Sequence, residues 1–594
     1  MSPTDVTHTQ TRWSLADLFE SPDNQHLQAA FDQLNAALDA FDLWRPWLTP
    51  RLVSQSLLEA VREVDAISQQ TRRLASFAGL WFAEDTQNQA AHALVARVDQ
   101  FLAAANNRTL FFELWWKGLE EPVAQRLMEE AGDYRYWLEE MRHFKPYTLS
   151  EPEEKIINLK NVTGSSALHT LYDLITNRYV FKLEVEGTTQ EMTRDALMVY
   201  ARHHDPDLRA RAYRELHRVY QQDSTILGHI YQTLVRDWHT EQIDVRGFAS
   251  PIAARNLSND LPGEVVDTLL EVCQRNTPLF HRYFRLKASW LATPCLRRYD
   301  LYAPVARSDK TYDFASAVKL VLDSFGQFDP QLAEMARRVL DDRHLDSQVR
   351  PGKRGGAFCW SAAPQLAPWV MVNYQGRAHD MAALAHELGH AVHSLAASHH
   401  SALTFHAALP LAETASTFGE MLLVDRLLAG EADQAVRRDL LFRQVDDAYA
   451  TILRQAFFAM FERQAHDRVP QGVTVDELAA DYQANLRDQF GDALELSDEF
   501  AWEWISIPHI YHTPFYVYAY AFGQLLVLSL YRRYKTEGDA SRPRYMGILA
   551  AGGSAAPADI LMAAGIDIRE PAFWQGGFDV VAELVQQLEA LPRQ

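Results

Sequence analysis

Apolar residues recur three and four apart through most of the chain, the spacing that lines one face of an α-helix for burial. Trp13, Leu15 and Leu18 open the ordered chain, and Ser21-Pro22-Asp23 reads as the start of a helix running through 26–38. The same spacing predicts helices over 52–76, 86–118 and 122–142, so the N-terminal part is helix-rich. Another helix start stands at Ser150-Glu151-Pro152-Glu153-Glu154. At 179–187 the pattern changes to strict alternation and closes on Glu186-Gly187, which predicts a strand, a turn and a small hairpin. Helical spacing resumes after Glu191. That shift divides the chain into an N-terminal helical region with a hairpin, 1–195, and a second region, 196–594.

In the second region, Leu261-Pro262-Gly263 precedes a helix over 264–275. Two short apolar runs, Gly355-Gly356-Ala357-Phe358-Cys359-Trp360 and Pro368-Trp369-Val370-Met371-Val372-Asn373-Tyr374, sit between glycine and proline punctuation and read as strands. An exposed strand edge here could pair with an extended peptide backbone, and a purely structural hairpin is the alternative. Long helices follow over 433–464 and 474–490. The stretch 515–531 has no formally charged residue, but it is short for a membrane span and contains Gly523, Gln524, Ser529 and four tyrosines. It reads as a buried helix. The pattern as a whole predicts a mainly α protein with a minor β element.

Charge and cysteine content narrow the functional classes. The chain of 594 residues carries 57 Lys+Arg against 78 Asp+Glu, a net charge of -21. Nucleic-acid binding usually needs a basic face, which this balance argues against. Cys273, Cys295 and Cys359 are widely spaced, odd in number and form no Cys-x-x-Cys, so neither a disulfide framework nor a thiolate zinc site is indicated. The first ten residues lack a basic stretch followed by an apolar run, the mark of a secretory signal. The expectation is a cytoplasmic protein with no membrane and no nucleic-acid partner.

The chemistry is concentrated in Ala385-His386-Glu387-Leu388-Gly389-His390-Ala391. Residues four apart lie one turn above each other, so His386 and His390 can direct two imidazoles at one ion, while Glu387 projects about 100° away round the helix. Zinc accepts such ligands and in catalytic sites keeps a position for water, whose proton Glu387 is placed to take. Met381, Leu384, Ala385, Leu388, Ala391, Val392 and Leu395 keep helical spacing, leaving the histidines off the buried stripe. His393, three residues further, suits a hydrogen-bonding or structural role. A third histidine ten residues after the first is absent, since that position is Ala396. A carboxylate from a second helix after Pro410 is the alternative, with Glu413 and Glu420 seven apart on its non-apolar face.

With these motifs the chain resembles the oligoendopeptidase F branch of the thimet-oligopeptidase-like zinc metallopeptidases. The resemblance covers most of the chain. It rests on His-Glu-Leu-Gly-His, Glu413-Thr414-Ala415-Ser416, Val372-Asn373-Tyr374-Gln375-Gly376, Tyr299-Asp300-Leu301-Tyr302-Ala303-Pro304 and Phe515-Tyr516-Val517-Tyr518-Ala519-Tyr520. It implies two helical lobes around a deep substrate groove with the zinc helix at its floor. It also implies one Zn2+ bound by His386, His390 and Glu413, with Glu387 as catalytic acid and base, and Glu420 then orients a ligand imidazole from behind. The stretch Pro508-His509-Ile510-Tyr511-His512-Thr513-Pro514 and the tyrosines after it correspond to a His and Tyr cluster that contacts substrate and transition state. His509, His512, Tyr516 and Tyr518 are the candidates, although an aromatic stripe is also what a core contains.

The implied activity is hydrolysis of internal bonds in short peptides, up to roughly twenty residues, by a groove that admits an extended chain. Removal of C-terminal dipeptides, or peptide binding without catalysis, are the rival readings. Glu387 argues against the second, because a structural zinc site has no use for a base and normally closes with four protein ligands.

Overall fold

In a computed structural model of the protein, residues 8–21, 24–305 and 310–592 are described. Residues 1–7, read above for a secretory signal, and Pro22 and Asp23, read as a helix start, lie outside the described residues. Helices dominate, with three small sheets among the described residues. The chain forms two compact units, each assembled from three stretches of sequence.

The first unit comprises residues 1–145, 310–430 and 530–567. Its N-terminal helices are Asn24–Asp42, Ser54–Glu84 and Gln89–Gly118. The second of these outruns the predicted 52–76 because Phe77, Leu80 and Ala83 continue its buried stripe. The helix expected over 122–142 is two, Glu121–Met128 and Arg135–His143, separated by a tight turn in which Gly132 takes φ +57°. Glycine meets that left-handed conformation without steric cost. Phe31, Leu34, Phe77, Leu80 and Trp116 of these helices pack in one core with Trp369 and Met371. Trp369–Met371 is the middle strand of a three-stranded sheet. Phe358–Trp360 pairs antiparallel on one side of it, and Leu345–Asp346, not foreseen from the sequence, pairs parallel on the other. Phe358–Trp360 is therefore an edge strand.

The second unit comprises residues 146–309, 431–529 and 568–594. The predicted hairpin is present as Phe181–Val185 paired antiparallel with Thr188–Met192. Glu186 and Gly187, at φ +51° and +77°, make its turn with the handedness that two-residue hairpin loops favour. The division expected at 195/196 falls inside this unit, within the helix Arg194–Val199 capped by the Thr193 side chain. The long helix expected over 433–464 is Gln434–Ala448 and Arg454–Arg468 joined by a π-helical turn, Tyr449–Leu453. Buried Arg298 and half-buried Arg454 donate to buried Glu503 Oε1 at 2.7 and 3.0 Å in this unit, and the Tyr482 hydroxyl donates to Oε2 at 3.1 Å.

The apolar stretch 515–531 leads into the helix Tyr518–Glu537, where Phe522, Leu525, Leu526 and Val527 are buried. Among the described residues no helix is long and apolar enough to cross a membrane.

Candidate active site

The helix Ala378–Ala396 of the first unit carries the His-Glu-x-x-His motif. Asp380 fixes its start, since Oδ2 accepts from the backbone N–H of Gln375 and Arg377 at 2.9 and 3.0 Å and places an anion at the positive end of the helix. All seven residues of the predicted apolar stripe are buried. His386 and His390 lie off that stripe, half-buried, with ring centroids 4.8 Å apart.

A second helix, Thr414–Gly430, packs closely on the first. Two glycines allow the approach. A Cβ on Gly389 would stand 2.5 Å from Ala415 O and Ser416 Cα, and one on Gly419 would stand 2.8 Å from the Phe325 ring and 3.2 Å from Ala385 O. No side chain larger than hydrogen fits such gaps without displacing backbone. The single helix expected after Pro410 is interrupted: a short turn, Leu409–Ala412, ends at Glu413, and the long helix begins one residue later. Glu413 thus sits at the junction of the two helices, its carbonyl accepting from the Thr417 N–H at 3.2 Å.

That junction brings Glu413 to the histidines. Its Oε2 lies 3.4 Å from His386 Nε2 and 3.4 Å from His390 Nε2, and one ligand atom from each of the three falls within 4.8 Å of the others. Ser416 Oγ donates to the same Oε2 at 2.7 Å. Glu420 Oε1 lies 2.6 Å from His386 Nδ1. A carboxylate at that distance holds a proton on Nδ1, so Nε2, which faces Glu413, is the nitrogen that would serve an ion. Two imidazoles and one carboxylate are the donor set of a three-ligand zinc site with a position left for water. The residues fit the ion that the sequence implied.

Burial and charge tune these groups in the metal-free protein. Burial of Glu387, reinforced by the Glu413 and Glu420 carboxylates and opposed by His386, pushes its carboxyl up to about 7. Burial opposes charge on His386, but the hydrogen bond and charge of Glu420, with Glu413 and Glu387 nearby, outweigh it and raise the ring to about 9. His390, mainly through burial, is lowered despite Glu413. His393 is buried, its ring pushed down to about 4 chiefly by burial, and it stands outside the three-ligand group.

The 509–518 cluster belongs to the second unit and divides by burial. Tyr518 is completely buried and its hydroxyl accepts from Asn259 Nδ2 at 2.9 Å, a core arrangement. His512 Nε2 lies 3.0 Å from Asp173 Oδ1. His509 is exposed and Tyr516 half-buried, with parallel rings 6.4 Å apart, and Tyr520 joins them edge-on at 5.3 Å from Tyr516. Tyr520 was not singled out from the sequence, although its four-residue spacing from Tyr516 was a usable signal. Phe515 holds φ +58°, a conformation costing a non-glycine residue roughly 1–2 kcal/mol. Its N–H donates to buried Glu462 Oε1 at 2.8 Å, and Arg255 Nε donates to Pro514 O at 3.0 Å. In the 299–304 segment Asp300 is buried and accepts from Arg209 and Arg297, each at 2.8 Å, a structural role.

Residues 199–580 match peptidase family M3, and residues 115–181 match a second family described as Oligopeptidase F. The chain belongs to peptidase family M3. It is 26% identical to Oligopeptidase PepF of Bacillus subtilis (strain 168) over 98% of this chain and 87% of that one. It is also 26% identical to an Oligoendopeptidase F homolog of Lactococcus lactis subsp. lactis (strain IL1403), covering 91% of this chain and 90% of the other. The crystal structure of oligoendopeptidase-F from Enterococcus faecium superposes with a TM-score of 0.71 at 24% identity, over 96% of this chain and 99% of that chain. The fold is therefore that of the oligoendopeptidase F structures. As a member of family M3 the chain is a peptidase acting on peptides, and the family implies a metal cofactor with which His386, His390 and Glu413 are compatible.

Proposed function

We propose that this M3 peptidase is a zinc-dependent oligoendopeptidase of the cytoplasm that hydrolyses internal bonds of short peptides. The observation that carries the reading is the convergence of His386, His390 and Glu413 beside Glu387, a buried carboxyl on the same helix. The names of the relatives support the oligopeptide substrate, and three free cysteines agree with a reducing compartment. The family match over 199–580 supports 196–594 as the catalytic region.

His386, His390 and Glu413 would hold the zinc, with Glu420 fixing the His386 tautomer and Ser416 orienting the Glu413 carboxylate. When bound, zinc supplies Lewis acidity that polarises the scissile carbonyl and makes water acidic near neutral pH. Glu387 takes the proton of the attacking water as oxygen adds to the carbonyl carbon, then returns it to the leaving nitrogen as the C–N bond breaks. The resemblance extends substrate contacts to His509, His512, Tyr516 and Tyr518. Exposure favours His509 and half-buried Tyr516, while half-buried His512 is drawn to Asp173, so His509 and Tyr516 are the hydrogen-bond donors to the developing oxyanion, with Tyr518 supporting the segment from the core.

The test is product analysis by mass spectrometry on a peptide of about ten residues blocked at both termini, with and without chelator. Metal-dependent internal cleavage supports the proposal. Release of C-terminal dipeptides alone from unblocked peptides, or no hydrolysis by the metal-loaded protein, overturns it.

A further inference from the structure

The turn that carries Tyr516 is not one that its own residues favour. Phe515 stands there at φ +58°, and a bulky residue persists in the left-handed region only where its surroundings over-determine it. Three neighbours do so, all within the second unit. Glu462 Oε1 accepts from the Phe515 N–H at 2.8 Å, and Arg255 Nε donates to the preceding carbonyl, Pro514 O, at 3.0 Å. The Phe515 ring is fully enclosed and lies 4.6 Å from the ring of His466, one turn after Glu462 on the helix Arg454–Arg468. Phe515 and Val517 are both buried, and half-buried Tyr516 between them groups instead with Tyr520 and exposed His509.

Packing alone does not account for Glu462. Its side chain is completely buried, and Oε2 has no hydrogen-bond partner among the described residues. A buried carboxyl with an unpartnered oxygen costs stability that an aliphatic side chain of similar size would not. What it supplies is an acceptor for the Phe515 N–H, which no backbone carbonyl reaches among the described residues. Burial also pushes the carboxyl up to about 8, against the Phe515 N–H and Arg255, so the neutral acid prevails at pH 7. The group therefore works there as an acceptor, not as a charge.

A change of φ at Phe515 reorients the chain from that residue onward, and Tyr516 comes next. A displacement of about 1 Å in a positioned group can cost about 10²-fold in rate. Resting on the peptidase reading above, in which Tyr516 donates to the developing oxyanion, we propose that Glu462 is a positioning residue for Tyr516. Through the Phe515 N–H it holds the turn that sets Tyr516 beside His509 and Tyr520, and turnover depends on that hold.

The experiment uses the full-length, zinc-loaded protein, one blocked peptide and a double-mutant cycle between positions 462 and 516. Glu462→Leu removes the acceptor and keeps the bulk. It should lower kcat by at least about 10-fold and leave KM within about 3-fold of wild type, because a contact to the oxyanion is made only in the transition state. Glu462→Gln keeps a neutral acceptor and should stay within about 3-fold of wild type in both constants. Tyr516→Phe should itself lower kcat by at least about 10-fold, and Glu462→Leu added to it should cost no more than about 2-fold further. A merely structural role would give the same further loss whether or not Tyr516 keeps its hydroxyl. Zinc content and melting temperature are measured for every variant. If the Leu variant does not fold, Arg255→Ala, which releases Pro514 O from the same turn, takes its place in the cycle. Independent losses at the two positions, a loss confined to KM, or wild-type kcat in the Leu variant overturns the assignment and leaves the peptidase reading intact. Wild-type turnover in Tyr516→Phe does the same, since no hydroxyl is then being positioned. Absence of metal-dependent cleavage by the wild-type protein overturns the peptidase reading, and the assignment falls with it.

Discussion

Glu420 Oε1 lies 2.6 Å from His386 Nδ1, while Glu413, seven residues earlier, meets the Nε2 atoms of His386 and His390. Seven residues of helix advance about 10 Å, and zinc bonds are about 2 Å long, so the two glutamates cannot occupy one coordination sphere in a regular helix. They flank His386 from opposite ring nitrogens instead. Glu413→Ala should therefore abolish zinc retention, and Glu420→Ala should weaken it by about 10 to 100-fold. Metal content after dialysis against a weak chelator distinguishes the two, and the reverse order would contradict the proposed ligand set.

Glu387→Gln keeps the shape of the side chain and removes its proton chemistry. The variant should fold, bind zinc as the wild type does, and lose at least about 10²-fold in kcat, the contribution expected of a positioned general base. Turnover within a few-fold of wild type would mean that another group carries the proton.

Gly389→Ala places a methyl where Ala415 O and Ser416 Cα stand 2.5 Å away. Overpacking of this kind costs roughly 1–3 kcal/mol, and here it also separates the helix bearing the histidines from the one that follows Glu413. A lower melting temperature together with weaker zinc retention is expected. Loss of stability with unchanged zinc affinity would show that the helix contact does not position the ligands.

Stability in acid should report on the second unit. Burial alone would raise the Glu503 carboxyl, but the Arg298 and Arg454 guanidiniums outweigh it and hold it at about 2, below its ordinary 4.5. A carboxylate depressed on folding adds stability that is present above its unfolded value and is lost as pH falls from about 4.5 through about 2. Glu503→Ala leaves Arg298 buried without its partner and should cost about 3–5 kcal/mol at neutral pH. It should also flatten the pH dependence of unfolding between 4.5 and 2. Denaturant unfolding across that range, followed by tryptophan fluorescence, tests both, and an unchanged slope in the variant would count against Glu503 as the titrating group.

Complete chelation should abolish hydrolysis, and added zinc should restore it. Zinc held at 100 times its dissociation constant stabilises a folded site by about 2.7 kcal/mol, so the melting temperature should fall on chelation as well. Activity that persists after zinc is shown to be absent would remove the metal from the proposal.

Periodicity and spacing were enough to establish much of this protein. The helix under His386 and His390, its buried stripe from Met381 to Leu395, the 181–192 hairpin and the burial of 515–531 all follow from local pattern, because a 3.6-residue or two-residue repeat records which face is buried. Glu413 and Glu420 were legible as candidates for the same reason. Spacing alone left open which of them would reach an ion, and the resemblance assigned that place to Glu413 and the place behind a ligand imidazole to Glu420. The placement of Glu413 against both Nε2 atoms and of Glu420 against Nδ1 depends on the helix interruption at Glu413 and on the close approach of two helices at Gly389 and Gly419, where backbone meets backbone across a distance in sequence that no local pattern encodes. The parallel pairing of Leu345–Asp346 with the Trp369–Met371 strand was likewise invisible, since two residues give no periodicity. Among the aromatic residues after Pro508, alternation could not separate Tyr518, buried with its hydroxyl on Asn259, from Tyr516 and Tyr520, whose rings group with His509. Which tyrosine enters the core depends on the turn at Phe515 and on Glu462 and Arg255 holding that turn from other helices, and such contacts exist only once the chain has folded.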